Sequence, residues 1–599
     1  MRSRRDRSPV FLPPEISMPR WPSSVRPPAR LLGGVAALLL SLGAVAGGTE
    51  PALFDTRDRI HPVHARHGLV VAQEALASQV GLAVLRGGGH AADAAVAVGF
   101  ALAVTLPQAG NLGGGGFLLV YDDGKKQTEA IDFRETAPAA VGRDFYLNER
   151  GEVDEARIRH SHQAAGVPGT VAGLALAHAR HGRLPWRSLL EPAIRLAEQG
   201  FPVGPELARS LREARERMAP WPASAKAFFK PDGSAYSPGE TLLQPDLAAS
   251  LKLIAEEGSR AFYEGEIARK LVADMQEHRG AIIADDLRGY RAVIRAPVRG
   301  TYRGYEIASM PPPSSGGVHL VQILNVLETW SLGDLGHNGA ATIHRLAEAT
   351  KLAYADRSEY LGDPDFAKVP VAGLTSKAYA RELAARIDPN RAKPAAQIKP
   401  GQPHRFESEQ TTHYSVVDRD GNAVAVTYTL NFPYGSGIVA AGTGILLNNE
   451  MDDFAAKPGV PNAYGLIGGD ANAVGPGKRP LSSMAPTLVF KDGRLVLVAG
   501  SPGGSRIITA VLQVLSNVID HRLNLAEATV APRVHHQWSP DELRVEEGLS
   551  PDTVRLLESL GHKVVIREAM GDTQSILRAP EGWYGFSDTR QPGGLAAGY

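Results

Sequence analysis

The chain has 599 residues, 64 of them Lys or Arg and 64 Asp or Glu, so it carries no formal net charge. That balance speaks against a nucleic-acid binder, which usually carries a basic surplus, and a hydrophobic share of 43% suits a globular protein rather than a disordered one. Cysteine is absent, which excludes disulfides, zinc–thiolate sites and a cysteine nucleophile.

At the N-terminus, Arg2, Arg4, Arg5, Arg7, Arg20, Arg26 and Arg30 precede an apolar run from Leu31 to Ala46 that closes on Ala44-Val45-Ala46. This is the layout of a secretory signal peptide over residues 1–46, with Met18 as an alternative start. The run is short for a membrane span, and no other segment reads as one. A soluble exported protein, periplasmic or secreted, is expected.

Farther along, Ala91 to Val98 predicts a small-residue helix suited to close packing. It leads through Asn111-Leu112-Gly113-Gly114-Gly115-Gly116 into a strand over Phe117–Tyr121. Residues 160–390 read as mostly helical, with apolar positions at helical spacing over 246–257, 266–278, 341–360 and 376–387. Pro311 to Gly317 breaks that region as a loop. Residues 390–410 are polar and proline-rich and are expected to form an exposed linker. Beyond it the chain turns strand-rich. A helix-rich segment and a strand-rich one can still form one layered α/β unit.

The first strands after the linker form a hairpin pattern. Thr411 to Asp418 and Asn422 to Asn431 flank Arg419-Asp420-Gly421, and Asp-Gly between two such runs is a strong turn signal. With Gly421 left-handed, Asp418 pairs with Asn422, which puts Thr411 opposite Thr429. One face then carries Thr411, His413, Ser415, Thr427 and Thr429, and the other Tyr414, Val416, Val426 and Tyr428. A small polar face at the end of a hairpin suits an active site. It equally fits an edge hairpin with one wet face, the simpler reading when taken alone.

Other chemistry is thin. There is no G-x-S-x-G elbow, H-E-x-x-H pair or Walker loop. His61, His64 and His67 have no carboxylate pattern around them and read as a solvated segment. No metal and no cofactor are expected. A threonine that opens a strand after a linker offers another route. If the Gln410–Thr411 bond breaks, Thr411 gains an α-amine with a reference pKa of about 7.7–8.0, able to activate its own hydroxyl.

Gln410 to Asp418 resembles the cleavage site of the γ-glutamyltransferases (glutathione hydrolases). The likeness extends to Ala130–Glu135, Met310–Gly317, Thr427–Asn431, Asn448–Phe454, Arg479–Met484 and Gly500–Ile507, and it runs from about Phe54 to Tyr599. It implies an N-terminal-nucleophile hydrolase fold: an αββα sandwich with two stacked sheets between helical layers. It also implies a precursor that cuts itself into a large chain (47–410) and a small chain (411–599), which stay together as a heterodimer. The γ-glutamyl group of glutathione or a related amide would pass to Thr411, and then to water or to an amino-acid or peptide acceptor.

The resemblance assigns roles residue by residue. Arg134 is the carboxylate clamp, with Ser482 and Ser483 as hydroxyl donors to the same carboxylate. Asp453, Glu450 and Asn431 face the substrate ammonium, and Thr429 supports Thr411. Gly503 and Gly504 form the oxyanion hole. Pro461–Lys478 is the lid loop, and Tyr464 its gating aromatic. His90, standing where the family pattern has Asn, is read as structural. A glutaryl- or cephalosporin-type acylase, a polyglutamate hydrolase and a non-catalytic exported binding protein are the rival readings. Glutaryl lacks the α-ammonium that Asp453 and Glu450 would hold.

Overall fold

The computed structural model describes residues 59–403 and 412–599. The expected signal peptide and Thr411 lie outside the described residues.

Two seven-stranded antiparallel sheets form the centre. The first runs in the order Leu595–Gly598, Leu69–Ala72, Thr412–Val417, Ala423–Thr429, Gly115–Asp122, Gln127–Phe133 and Val293–Arg295. The second runs Val63–Ala65, Gly582–Ser587, Gln574–Ala579, Arg494–Ala499, Thr487–Lys491, Tyr305–Ser309 and Val298–Tyr302. Each sheet therefore mixes strands from both sides of residue 411. The expectation of a mostly helical stretch over 160–390 needs correcting at 293–309, which supplies three of these strands. Runs of three to five residues are too short to show a clear alternation.

Apolar side chains fill the space between the sheets, among them Phe117, Leu119, Val417, Ala425, Leu488, Val498 and Ile576. The outer face of the first sheet is covered by the helices Ala75–Arg86, Ala91–Thr105 and Thr170–His181, with Trp186–Gln199 packed on Ala91–Thr105. Gly316–Leu327 and Leu525–Val530 cover the second, with Ala340–Tyr360 and Ile507–Ile519 packed against Gly316–Leu327. This is the expected αββα sandwich. Every residue of Ala91–Thr105 is buried, and its small side chains let the sheet come close. The Tyr414 hydroxyl donates to Ala95 O at 2.8 Å and the Tyr428 hydroxyl to Gly99 O at 3.1 Å. A Cβ on Gly99 would meet the Tyr414 hydroxyl at 2.9 Å. His90 caps this helix, its Nδ1 accepting from Ala92 N–H at 3.0 Å, which is the structural role expected of it.

The four predicted helices appear at Pro245–Glu257, Glu266–Glu277, Ala340–Tyr360 and Lys377–Ala384. The linker differs from expectation over residues 390–403. Ala392, Ala395 and Ile398 are buried. Ala392 N–H donates to Leu560 O, Ala395 N–H to the Asp541 carboxylate, and the Trp538 indole to Ala395 O. Three apolar side chains among polar ones suffice to dock a proline-rich strap that composition alone presents as exposed.

Phe100 lies in the all-buried helix, edge-on to Trp186 at 5.5 Å between ring centroids. Phe100→Ala is expected to cost about 3–5 kcal/mol, seen as a lower midpoint in a denaturant titration.

Candidate active site

The hairpin has the predicted register. Gly421 has φ +87°, and the pairs run from Val417–Ala423 to Thr412–Tyr428, one residue short of Thr411. The edge-hairpin alternative is overturned. Thr412–Val417 pairs on its other side with Leu69–Ala72, and Ala423–Thr429 with Gly115–Asp122. The polar face is dry. His413 is fully buried, with Nδ1 2.9 Å from Thr427 Oγ1 and Nε2 3.0 Å from Ser415 Oγ. Ser415 donates its own proton to Gln574 O, so it accepts from Nε2–H, and Thr427 donates to Nδ1. Burial pushes the His413 pKa down to about 3, so the ring stays neutral.

His413 also locates the glycine turn. A Cβ on Gly500 would fall 2.4 Å from the His413 ring, so the stretch after strand Arg494–Ala499 starts directly against it. Gly503 (φ +128°) and Gly504 (φ +68°) follow, and the 3₁₀ turn Gly504–Arg506 opens helix Ile507–Ile519. Two consecutive residues with positive φ favour glycine, and they stand at the N-terminal end of that helix.

The other half of the site centres on Arg134, at the end of strand Gln127–Phe133. Its side chain is fully buried. Nη1 pairs with Glu450 and Nη2 with Asp453, Nε donates to Pro480 O at 3.0 Å, and Nη2 reaches Leu481 O at 3.3 Å. Glu135 lies 3.6 Å away. The Arg134 carbonyl accepts from the Tyr290 hydroxyl at 2.8 Å and from Arg479. Burial pulls the Arg134 pKa down, but Glu450, Asp453 and Glu135 more than offset it, so the guanidinium stays charged. One cation thus faces three buried carboxyls. Burial pushes Glu135 up to about 7 and Asp453 up to about 6 and raises Glu450 strongly, with Arg134 opposing each shift.

Ser482 and Ser483, both fully buried, follow the two carbonyls that Arg134 holds. Ser482 backbone bonds to Pro313 and Ser315 tie them to the Pro311–Gly317 loop. Thr429 Oγ1 accepts from Asn431 N–H at 2.8 Å, which stabilises the left-handed Asn431 (φ +75°). Asn431 Nδ2 donates to Asn449 O at 3.0 Å. Tyr464 stands edge-on to Phe432 at 5.4 Å, its hydroxyl 3.4 Å from Asn431 O, and Gln537 holds its carbonyl at 3.0 Å. The loop 461–478 is therefore a packed cover. Beneath it a cavity of about 20 Å³ touches Asp453, Leu466 and Leu481, room for about one water. Asn431 Oδ1, Glu450 Oε2, Asp453 Oδ1 and Ser483 Oγ are buried without a hydrogen-bond partner. Such a concentration of unsatisfied polar atoms marks a place for a polar ligand.

Of the predicted residues, Arg134, Glu450, Asp453, Ser482 and Ser483 form one cluster, Thr429, Asn431 and Tyr464 another, and Gly503 and Gly504 the turn. Two contributors were not singled out beforehand. Glu135 is a buried acid, and Asn449 ties Asn431 and Phe432 to Arg159 O. Both lie inside recognised motifs, but neither has a spacing signal of its own.

The Gamma-glutamyltranspeptidase family model matches residues 77–598. The glutathione hydrolase proenzyme of Escherichia coli is 57% identical over 94% of this chain and 98% of its own length. The chain belongs to the γ-glutamyltranspeptidase family. Among solved structures, a cephalosporin acylase from Bacillus halodurans superposes with a TM-score of 0.82 at 30% identity, over 92% of this chain and 99% of that one. The Helicobacter pylori γ-glutamyltranspeptidase does so at 0.56 and 45%, over 57% and 98%.

Two groups of described residues come within metal-ligand reach in this family member: His162, Asp274 and His278, and His344, Glu348 and His562. His162 already bonds Asp274 at 3.0 Å, and the Lys351 ammonium occupies Glu348. Neither group contains a predicted site residue or any of His61, His64 and His67.

The raised Glu135 pKa makes a pH prediction. An unfolded Glu titrates near about 4.3, whereas folded Glu135 holds its proton up to about 7. The folded state binds more protons between those values, so stability present below about pH 4.3 is lost as pH rises through 7. The ligand-free melting temperature should fall across this window, and Glu135→Gln should flatten the slope. An unchanged slope in the variant would mean that Glu135 is ionised throughout.

Proposed function

We infer that this chain is a γ-glutamyltransferase with glutathione hydrolase activity, matured by cleavage at Gln410–Thr411. The observation that carries the specificity is the buried pocket of one guanidinium and several carboxyls. A γ-glutamyl group ends in an α-carboxylate and an α-ammonium. Its carboxylate takes a place beside Arg134 with hydrogen bonds from Ser482 and Ser483, and its ammonium satisfies Asp453, Glu450 and Asn431. The substrate carboxylate then takes the place of an internal partner of Arg134, and its ammonium that of protons shared among the buried carboxyls, so little net charge is desolvated.

With the group held there, its γ-carbonyl is presented to Thr411. In maturation, the Thr411 hydroxyl attacks the Gln410 carbonyl, the Gln410–Thr411 C–N bond breaks to leave an ester and a free α-amine, and hydrolysis of that ester releases the Gln410 carboxylate and restores the hydroxyl. In turnover that amine takes the hydroxyl proton as the oxygen attacks the γ-carbonyl, and passes it to the departing amine. Thr429, continuing the hairpin register, orients the hydroxyl. Gly503 and Gly504 N–H groups stabilise the oxyanion, a contribution worth about 2.7–4 kcal/mol per donor in comparable sites. Water or an amino-acid or peptide acceptor then releases the acyl group.

The two chains, 47–410 and 411–599, remain one particle because each sheet hydrogen-bonds strands of one to strands of the other. Residues 1–46 direct export to the periplasm or the medium. No helix among the described residues is long and apolar enough to cross a membrane.

Thr411→Ala is expected to stay a single chain on a denaturing gel and to release no product from γ-glutamyl-p-nitroanilide. In the active protein, kcat/KM for glutaryl-p-nitroanilide should fall at least about 10²-fold below the γ-glutamyl compound, since the ammonium partners are left unpaired. Comparable values would favour the acylase reading.

A further inference from the structure

The Gly503–Gly504 turn and the Tyr464 cover meet on one side chain. Ser505, the residue after Gly504, donates its hydroxyl to Gln537 Oε1 at 2.8 Å. The other end of the same amide, Nε2, donates to Tyr464 O at 3.0 Å and to Ser539 O at 3.2 Å. His535 Nε2 lies 3.0 Å from Oε1. Gln537 is buried, and both its amide hydrogens and both acceptor sites of its oxygen are taken. Two carbonyls can face only the nitrogen end, so the amide has one orientation.

The surroundings of this amide are fixed as well. Burial pushes the His535 pKa down to about 3, so the ring is neutral. It donates from Nε2 to Gln537 and accepts at Nδ1 from Thr509 Oγ1, 2.9 Å away on helix Ile507–Ile519. Trp538, directly after Gln537, has φ +68°, uncommon for a bulky side chain. Its indole bond to Ala395 O at 3.0 Å and its N–H bond to His536 Nδ1 at 3.2 Å hold it there. On the turn, the Tyr354 hydroxyl donates to Ser505 O, and Arg506 Nε to Gly503 O at 3.0 Å. On the cover, Asn462 Oδ1 accepts from Tyr464 N–H at 3.0 Å and Leu466 N–H at 3.1 Å, and the left-handed Gly465 (φ +77°) lies against the Gln537 amide.

We propose that Gln537 is a positioning residue: its one amide holds the cover at Tyr464 and the Gly503–Gly504 turn in a single register, so the oxyanion donors are aimed when the cover lies closed over the γ-glutamyl group. The proposal rests on the γ-glutamyl reading above and on the turn as its oxyanion hole. Donors aimed at a developing oxyanion act only at the right distance, and a misplacement of about 1 Å can cost about 10²-fold in rate.

The test compares kcat and KM for γ-glutamyl-p-nitroanilide hydrolysis in matured wild type, Gln537→Ala, Ser505→Ala and the double variant, each checked on a denaturing gel for equal large and small chains. Ser505→Ala cuts only the arm to the turn, so kcat should fall about tenfold with KM within about twofold of wild type. Gln537→Ala cuts both arms, so kcat should fall by a like factor and KM should rise about fivefold, the worth of one hydrogen bond. The double variant should match Gln537→Ala in kcat, because both changes break the same link. Double-variant losses that multiply, or a kcat loss in Gln537→Ala without a rise in KM, would overturn the assignment. So would variants that melt earlier or mature in lower yield while the matured fraction keeps wild-type kcat and KM, the mark of a purely structural role. An unchanged kcat in Ser505→Ala overturns it even if Gln537→Ala fails to mature. A wild-type protein that releases no p-nitroaniline would remove the γ-glutamyl reading itself, and the role of Gln537 with it.

Discussion

Arg134 is a full positive charge without solvent access, and much of the molecule serves to keep it there. Removing a guanidinium from water costs several kcal/mol, recovered only by close anionic partners and well-aimed acceptors. The partners come from far along the chain: Glu450 and Asp453 on a short 3₁₀ turn, and the Pro480 and Leu481 carbonyls just before Ser482. The Arg134 backbone is fixed in turn by Tyr290 and Arg479, and Arg479 reaches Asp132, two residues before Arg134. This pocket exists only when residues on both sides of position 411 are folded together, so recognition is built on the same contacts that join the two segments.

The excess of buried carboxyls explains how the pocket discriminates. With three acids around one cation, burial makes the carboxyls of the ligand-free site hold protons more readily than free carboxylates do. On the proposed function, an arriving ammonium would replace such protons, and an arriving carboxylate would replace an internal partner of Arg134. A ligand with only one of the two charges can make only half of this exchange. The nucleophile's surroundings follow the opposite rule. His413, two positions along the strand from Thr411 in sequence, is kept neutral by burial, and both its ring nitrogens are taken by hydroxyls. In the proposed mechanism the Thr411 amine is the base.

Much of this was legible from the residues. Asp-Gly after an alternating run set the hairpin register, because a left-handed glycine allows one pairing, and Gly421 adopts that conformation. The small residues of Ala91–Val98 announced a helix pressed against a sheet. The site residues were reached through motifs, since nothing in their spacing shows that Arg134 and Asp453 meet. Other features were hidden for identifiable reasons. Val293–Arg295 and Tyr305–Ser309 are too short to display a period of two. The docking of Ala392, Ala395 and Ile398 depends on distant partners such as Trp538 and Asp541. The hairpin's polar face looked wet because its burial is imposed by the second sheet, through Gly500 and Gln574.

In the proposed mechanism Thr411 becomes a chain terminus and acts through its own amine. Intact mass spectrometry of the purified protein, with N-terminal sequencing of the smaller fragment, tests it directly. Two chains in equal amounts are expected, the smaller beginning Thr411-Thr412-His413. A protein that turns over γ-glutamyl-p-nitroanilide while remaining a single uncut chain would contradict it.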